Sequence, residues 1–174
     1  MDLSYPVGKF VRPAAPSYSE TQALIDQIET APAKLRATVA GLSEEQLDTP
    51  YRPGGWTPRQ VVHHVFDSHV NSYIRMKLAL TEDNPVIKPY DQDRWAVLAD
   101  NQEPVEVSLL LVEGLHRRWV VLLRSLGEPE LALTFRHPEL GSVRLDQNIA
   151  LYAWHGRHHV GHITGLRDRM GWGT

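Results

Sequence analysis

The chain of 174 residues contains no cysteine. Without a thiol, the protein cannot form a disulfide framework, a thiolate zinc site, an iron–sulfur cluster or a cysteine nucleophile. Any metal that it binds must therefore be held by nitrogen and oxygen ligands. Because this length is typical of one domain, we expect residues 1–174 to form a single domain with one core.

The sequence also lacks an excess of basic residues and any long apolar run. Lys and Arg number 18 against 21 Asp and Glu, so there is no positive field to attract nucleic acid or an anionic membrane. No stretch approaches the ~18 uninterrupted apolar residues of a membrane-spanning helix, and the N-terminal sequence lacks a basic segment followed by an apolar one. We therefore expect a soluble, cytoplasmic protein with neither a nucleic acid nor a membrane as partner.

Apolar residues at helical spacing predict four long helices. The first follows an extended, proline-rich arm, residues 1–17. The capping-box pattern at Ser19 marks the start of this helix, and Pro32 should kink or divide it. The second helix has the clearest start, because Thr57 can act as its N-cap and Pro58 takes the first helical position, where a missing N–H does no harm.

The other two long helices follow a loop-rich crossover, residues 85–104. The third covers about residues 107–126. A turn or small hairpin is expected near residues 135–145, and Asp146 then serves as N-cap of the fourth helix, which Gly171 terminates. The sequence therefore predicts an all-α, up-and-down four-helix bundle, an architecture in which facing helices commonly build metal sites in the core.

Histidines are concentrated in two short segments of the second and fourth helices. Seven of the nine lie there: His63, His64, His69, His155, His158, His159 and His162. An α-helix advances about 100° per residue, which places His155, His159 and His162 on the apolar face of the fourth helix. His155 and His159, at i and i+4, stand one turn apart and can bind a single Zn²⁺ or Ni²⁺. The remaining two, His116 and His137, are isolated, and no role is assigned to them.

A histidine pair at this spacing is by itself weak evidence, because such pairs also occur as ordinary buried residues. Burying several imidazoles without a cation or hydrogen-bond partners is costly, so the second cluster favours metal binding. The third ligand would come from the second helix, where His63 and His64 project about 100° apart and the helical wheel does not choose between them. Asp67 on that helix could orient a neighbouring imidazole.

Four segments carry a resemblance to a known family: residues 3–10, 47–82, 88–95 and 152–163. In them the chain resembles the DinB-like superfamily, and most closely the YfiT group of metal-dependent hydrolases, whose members include bacillithiol S-transferases. The resemblance implies a homodimeric four-helix bundle with one divalent metal per chain, Zn²⁺ or Ni²⁺, held by three histidines. The first family ligand lies eight residues after the tryptophan that precedes the helix, which from Trp56 selects His64. The other two ligands match His155 and His159.

Three neutral histidine ligands leave open coordination positions on a divalent metal, as in catalytic zinc sites. Such a metal lowers the pKa of bound water to about 7 and also favours ionisation of a thiol. We therefore expect a metal-dependent hydrolase or, as the resemblance implies, a transferase that joins a low-molecular-weight thiol such as bacillithiol to a small electrophilic substrate.

The sequence assigns no catalytic group beyond the metal-bound water or thiol. His162 is expected to hydrogen-bond a neighbouring group or to line the pocket, and His63 and His158 to lie behind the ligands or at the edge of the site. The alternatives are a protein that binds a metal or a small thiol without turnover, and a structural bundle with buried histidines. The choice between hydrolase and transferase, the native metal and the substrate remain open at this point.

Overall fold

Apolar stripes bury one face of each of four long helices in the computed structural model, which describes residues 2–173. The helices are α1 (Tyr18–Val39), α2 (Glu44–Leu47), α3 (Pro58–Thr81), α4 (Gln92–Trp95), α5 (Val105–Arg124), α6 (Glu128–Leu131) and α7 (Leu145–Met170). A 3-10 turn (Ala99–Gln102) and an antiparallel hairpin of β1 (Thr134–His137) with β2 (Gly141–Arg144) complete the structure of these residues. The predicted all-α four-helix bundle is confirmed, with the hairpin close to its expected position.

Successive long helices are not all neighbours in the bundle. Helix α1 packs against α5 and α7, and α3 packs against the same two helices, so α1 and α3 lie at opposite corners. The chain crosses between opposite corners in residues 40–57, which contain α2, and in residues 125–144, which contain α6 and the hairpin. The loop-rich segment 85–104 is present, but it joins the neighbours α3 and α5. Among the described residues, no helix is both long and apolar enough to cross a membrane.

Helix α1 begins at a different serine from the one predicted. Its N-cap is Ser17, whose Oγ accepts a hydrogen bond from the backbone N–H of Glu20 at 3.2 Å, while the Glu20 carboxylate accepts from the Ser17 N–H at 2.8 Å. Ser19 and Gln22 have the same spacing, which explains the prediction at Ser19. The observed box places a carboxylate at the positive end of the helix dipole, where an amide would gain less.

Replacing Ser17 with alanine is expected to lower the free energy of unfolding by about 1 kcal/mol, because the N–H of Glu20 loses its acceptor. Ser19→Ala is the control. The Ser19 hydroxyl contacts Oγ of Ser17 at 3.2 Å but accepts from no backbone N–H of the first turn, so we expect a change of only a few tenths of a kcal/mol. Urea unfolding of both variants measures the difference. A larger loss for Ser19→Ala would contradict this assignment of the helix start.

Two further predictions concern the helices. Pro32 does not divide α1, one of the two outcomes predicted for it, because the helix continues through this residue with Pro32 buried. The predicted start of α7 is wrong. Asp146 is not the N-cap of α7, because that position belongs to Arg144, whose backbone N–H donates to Oε1 of Gln147. Asp146 instead lies inside the first turn of the helix, where its carboxylate accepts a hydrogen bond from the Arg144 guanidinium at 2.6 Å. Gly171 ends α7, as predicted, and adopts the left-handed conformation.

The buried histidines occupy a layer between two apolar clusters. One cluster includes Ile28, Met76, Trp119 and Ile149, and the other includes Leu35, Val65, Val112 and Ile163. On α7, Ile149 belongs to the first cluster and Ile163 to the second, and the four histidines of that helix lie between them. Because apolar side chains lie on both sides of the layer, its imidazoles must find hydrogen-bond partners or a cation within it.

Residues 2–16, which contain neither helix nor strand, pack on the histidine-bearing part of α7. The Gly8 carbonyl accepts a hydrogen bond from Nε1 of Trp154 at 3.1 Å. A side chain at Gly161 would come within 3.1 Å of Pro6, so this glycine permits the close approach of the N-terminal segment. The same segment brings Ser4 to the histidine layer.

Candidate metal centre

Three imidazole nitrogens converge in the histidine layer. Nε2 of His155 lies 3.2 Å from Nε2 of His64 and 3.2 Å from Nε2 of His159. Helix α3 presents His64 towards α7 because it lies on the buried face of that helix, while His155 and His159 are stacked one turn apart on α7. Residues from two elements distant in sequence are thereby brought to one point.

This geometry suits a divalent metal ion. A tetrahedral ion with bonds of about 2.1 Å to nitrogen holds its ligand atoms about 3.4 Å apart, close to the observed spacing. Three imidazole nitrogens are a donor set that both Zn²⁺ and Ni²⁺ accept. Residues His64, His155 and His159 therefore fit such an ion, and three protein ligands leave at least one coordination position for a small molecule.

Burial keeps these imidazoles neutral, which is the form that binds metal. It lowers the pKa of His64 to about 3, with a smaller contribution from His158. Burial, followed by repulsion from neighbouring histidines, lowers the pKa values of His155 and His159 well below their ordinary 6.5. At neutral pH the three ligand atoms therefore carry lone pairs, and a metal need not displace a proton from an imidazolium.

His162 contacts the metal centre through His159. Its Nε2 lies 3.3 Å from the backbone oxygen of Ser4, which can only accept, so this nitrogen carries the hydrogen. Its Nδ1 then accepts from Nδ1–H of His159 at 3.4 Å, which leaves Nε2 of His159 unprotonated towards the other two ligands. Tyr51 stacks on His162 with ring centroids 4.0 Å apart. The structure thus places His162 against a candidate ligand and also on the wall of the adjoining cavity.

Two of the other candidate residues, His63 and Asp67, lie outside the centre. His63 is buried, but Nδ1 contacts Oγ of Ser108 at 2.7 Å and Nε2 contacts the backbone oxygen of Glu103 at 3.0 Å, which ties α3 to α5 and its preceding loop. The Asp67 carboxylate hydrogen-bonds no histidine among the described residues, so it does not orient an imidazole there. Burial and the nearby Asp100 raise the pKa of Asp67 to about 6.

His158 lies beside the centre and forms a second histidine group with His159 and His162. Its ring stacks on Trp154 with centroids 4.3 Å apart. Its Nδ1 is buried and has no hydrogen-bond partner among the residues described. His159 belongs to both groups, and its Nδ1 already contacts Nδ1 of His162. The second group therefore has fewer uncommitted nitrogen atoms for binding a metal than the first.

The prediction that His116 is isolated is wrong, and the sequence did not predict the contacts of His69. Nε2 of His116 lies 2.7 Å from Nδ1 of His69, and Nε2 of His69 lies 3.0 Å from Nδ1 of His155. His116 falls between Val112 and Trp119 on the buried face of α5. A histidine in the middle of an apolar stripe is the sequence signal that could have indicated a buried polar contact.

A cavity of about 550 Å³ opens onto the candidate centre. His64, His155 and His159 belong to its lining, and Arg52 and Asp93 supply its charged side chains. Trp56 packs over His64 with ring centroids 4.6 Å apart, which restrains that imidazole. The arrangement can present a small polar molecule to a metal held by the three histidines.

The chain is similar in sequence to a known family and to curated proteins. The DinB superfamily family profile matches residues 27–163. A Bacillus cereus protein named "Putative metal-dependent hydrolase" is 56% identical over 173 residues, covering 98% of this chain and 99% of the relative. A Bacillus mycoides protein of the same description is 54% identical over 171 residues, with the same coverage.

Two solved structures superpose on this chain. YfiT from Bacillus subtilis, described as "a probable metal-dependent hydrolase with an unusual four-helix bundle topology", superposes with a TM-score of 0.96 at 46% identity, covering 99% of this chain and 100% of YfiT. The four-helix bundle protein TT2238 superposes with a TM-score of 0.54 at 19% identity, covering 80% of this chain and 94% of that one. The second likeness concerns the fold alone.

Proposed function

Since the chain belongs to the DinB superfamily, we propose that it is a metal-dependent enzyme, a hydrolase or a thiol S-transferase, with one Zn²⁺ or Ni²⁺ held by His64, His155 and His159. The observation that carries this proposal is the convergence of three Nε2 atoms, 3.2 Å apart in two of the three pairs, at a cavity. The relatives named as metal-dependent hydrolases and the likeness to YfiT support it.

The chemistry at this site follows from the donor set and the cavity. A divalent metal on three neutral histidines supplies Lewis acidity, which lowers the pKa of water or of a thiol. The cavity volume lies within the roughly 300–1,000 Å³ typical of small-molecule sites. Because the chain has no cysteine, a reacting thiol would come from a low-molecular-weight cosubstrate such as bacillithiol.

The residues around the ligands hold the site in place. Trp56 restrains His64, and the Ser4 carbonyl holds His162 against His159. Arg52 and Asp93 offer opposite charges on the cavity wall, which would orient a polar substrate relative to the ligands. None of these groups is assigned a proton-transfer role.

Metal content and turnover test the proposal together. Protein prepared without a histidine tag is expected to contain about one Zn²⁺ or Ni²⁺ per chain by elemental analysis, and to hydrolyse a member of an ester and amide panel or to conjugate a low-molecular-weight thiol to monochlorobimane. Metal without activity in either panel would favour a binding protein. Absence of metal, together with no effect of added Zn²⁺ on the melting temperature, would overturn the metal site itself.

A further inference from the structure

A chain of hydrogen bonds runs from the candidate centre across the bundle interior. It begins at Nδ1 of His155, which lies 3.0 Å from Nε2 of His69. Nδ1 of His69 lies 2.7 Å from Nε2 of His116, and Nδ1 of His116 lies 2.7 Å from the backbone oxygen of Ile28. These four residues come one each from α7, α3, α5 and α1, so the chain connects all four long helices.

The carbonyl at one end fixes the direction of every hydrogen bond. A backbone oxygen only accepts, so Nδ1 of His116 carries the hydrogen and its Nε2 is an acceptor. Nδ1 of His69 must then donate to His116, which leaves Nε2 of His69 as the acceptor for Nδ1–H of His155. A neutral imidazole carries one N–H, and Nε2 of His155 is therefore left with a lone pair towards His64 and His159.

We propose that His69 and His116 are positioning residues that hold His155 in the tautomer required for metal binding. The inference rests on the proposed metal site. In the opposite tautomer, Nε2 of His155 would carry a hydrogen where the metal must bind. Hydrogen bonds from a ligand imidazole to such partners fix its ring orientation and raise its basicity, and their loss typically weakens metal binding by about 10–100-fold.

Packing alone does not explain why histidines occupy these two buried positions. His69 is fully buried and His116 is 2% exposed, in a layer bounded by apolar clusters on both sides. An apolar residue of similar volume would fill either position without requiring a partner. The chain of donors and acceptors ends on two defined atoms, the Ile28 carbonyl and His155, and only the second lies at the candidate metal centre.

Two substitutions at His116 separate positioning from packing. In His116→Gln the amide can donate to the Ile28 carbonyl and accept from His69, so the direction of the chain is retained. His116→Leu fills the core position with an apolar side chain that can neither donate to the Ile28 carbonyl nor accept from His69. His69 and His155 are then free to exchange tautomers. We expect the Zn²⁺ affinity, measured by competition with a chelator, to fall about 10–100-fold in His116→Leu and to stay within about threefold of the native value in His116→Gln.

The tautomer of His155 in the metal-free protein is the second readout. Long-range ¹H–¹⁵N correlation spectra, with the His155 signals assigned by their loss in His155→Ala, should show the Nδ1–H form in the native protein and in His116→Gln. The Nε2–H form should gain population in His116→Leu. His63→Leu is the control, because it removes another buried, doubly hydrogen-bonded histidine without touching the chain, and it should change neither readout.

Three results would overturn the proposal. One is a native metal-free protein in which Nε2 of His155 carries the hydrogen, and this measurement needs no variant to fold. Another is a folded His116→Leu with native Zn²⁺ affinity and an unchanged His155 tautomer. The third is an equal loss of affinity in His63→Leu, which would indicate general destabilisation. Failure of the native protein to bind any metal would instead refute the proposed function, and the tautomer measurement would still report on the hydrogen-bond chain.

Discussion

Replacing His64 with alanine is expected to weaken Zn²⁺ binding by about 100-fold. Structural zinc sites with four ligands bind with roughly 10–16 kcal/mol, so one ligand accounts for about 3 kcal/mol. Each 1.4 kcal/mol corresponds to a factor of about ten in affinity, which gives the stated ratio. His64 is a suitable ligand to remove, because its Nε2 contacts His155 while it takes no part in the hydrogen bonds that orient His155 and His159.

The adjacent histidine provides a matched control. His63 is also buried on α3, but its ring contacts Ser108 and Glu103 and does not face the centre. His63→Ala should lower the free energy of unfolding, because the buried partners of the ring lose their hydrogen bonds, while the Zn²⁺ affinity of the folded protein stays unchanged. Isothermal titration calorimetry of both metal-free variants measures the contrast. A greater loss of affinity in His63→Ala than in His64→Ala would exclude the proposed ligand set.

The choice between these two neighbours shows where sequence reasoning about this site ends. Helical spacing relates residues within one helix, so it pairs His155 with His159. It does not state which helix faces which, and therefore leaves His63 and His64 equivalent. The structure separates them, since one faces α7 and the other faces α5 and its preceding loop. The resemblance to a family selected His64 through its distance from Trp56, which is information that periodicity lacks.

Periodicity limited the prediction of the fold in a similar way. Apolar stripes and N-cap residues such as Thr57 locate the four helices, because these signals are local to each helix. The placement of α1 and α3 at opposite corners depends on how buried faces combine, which no local signal records. The start of α1 was misplaced by two residues because Ser17 and Ser19 present the same spacing to a side chain three residues later.

The hydrogen-bond chain through His69 and His116 could not be predicted from the sequence for a related reason. Each residue interrupts an apolar stripe on its own helix, which indicates a buried polar group but not its partner. The partners lie on other helices, and the last of them is a backbone oxygen, of Ile28, which leaves no mark in the sequence. A buried histidine within an apolar stripe therefore predicts that a partner exists, and only the packing of the bundle identifies it.

The metal-free protein is expected to lose much of its stability between pH 6.5 and pH 5. Burial lowers the pKa of His64 to about 3 and those of His116, His158 and His162 to about 4, against 6.5 for an accessible histidine. The folded state therefore stays unprotonated at these sites while the unfolded state takes up protons. Stability from this source is fully present above about pH 6.5 and is lost as the pH falls, by about 1.4 kcal/mol per proton for each pH unit.

One carboxyl group acts in the opposite direction but does not reverse this trend. The pKa of Asp67 is raised to about 6, so its protonation favours the folded state as the pH falls below that value. A single proton of this kind opposes at least the four taken up by the histidines on unfolding. The net loss by pH 5 should amount to several kcal/mol, a large part of the roughly 5–15 kcal/mol that stabilises a typical domain.

Urea unfolding of the metal-free protein, followed by circular dichroism from pH 7.5 to pH 5, measures this loss. His116→Gln removes one of the titrating groups, so the free energy of unfolding should fall less steeply with decreasing pH, by up to about 1.4 kcal/mol per pH unit. Saturating Zn²⁺ should move the transition to lower pH, because an ion that binds only the folded state stabilises it by mass action. A free energy of unfolding that stays constant from pH 7 to pH 5 would show that the histidine layer is open to water, and a layer of that kind could not keep its imidazoles neutral in the way that the metal centre requires.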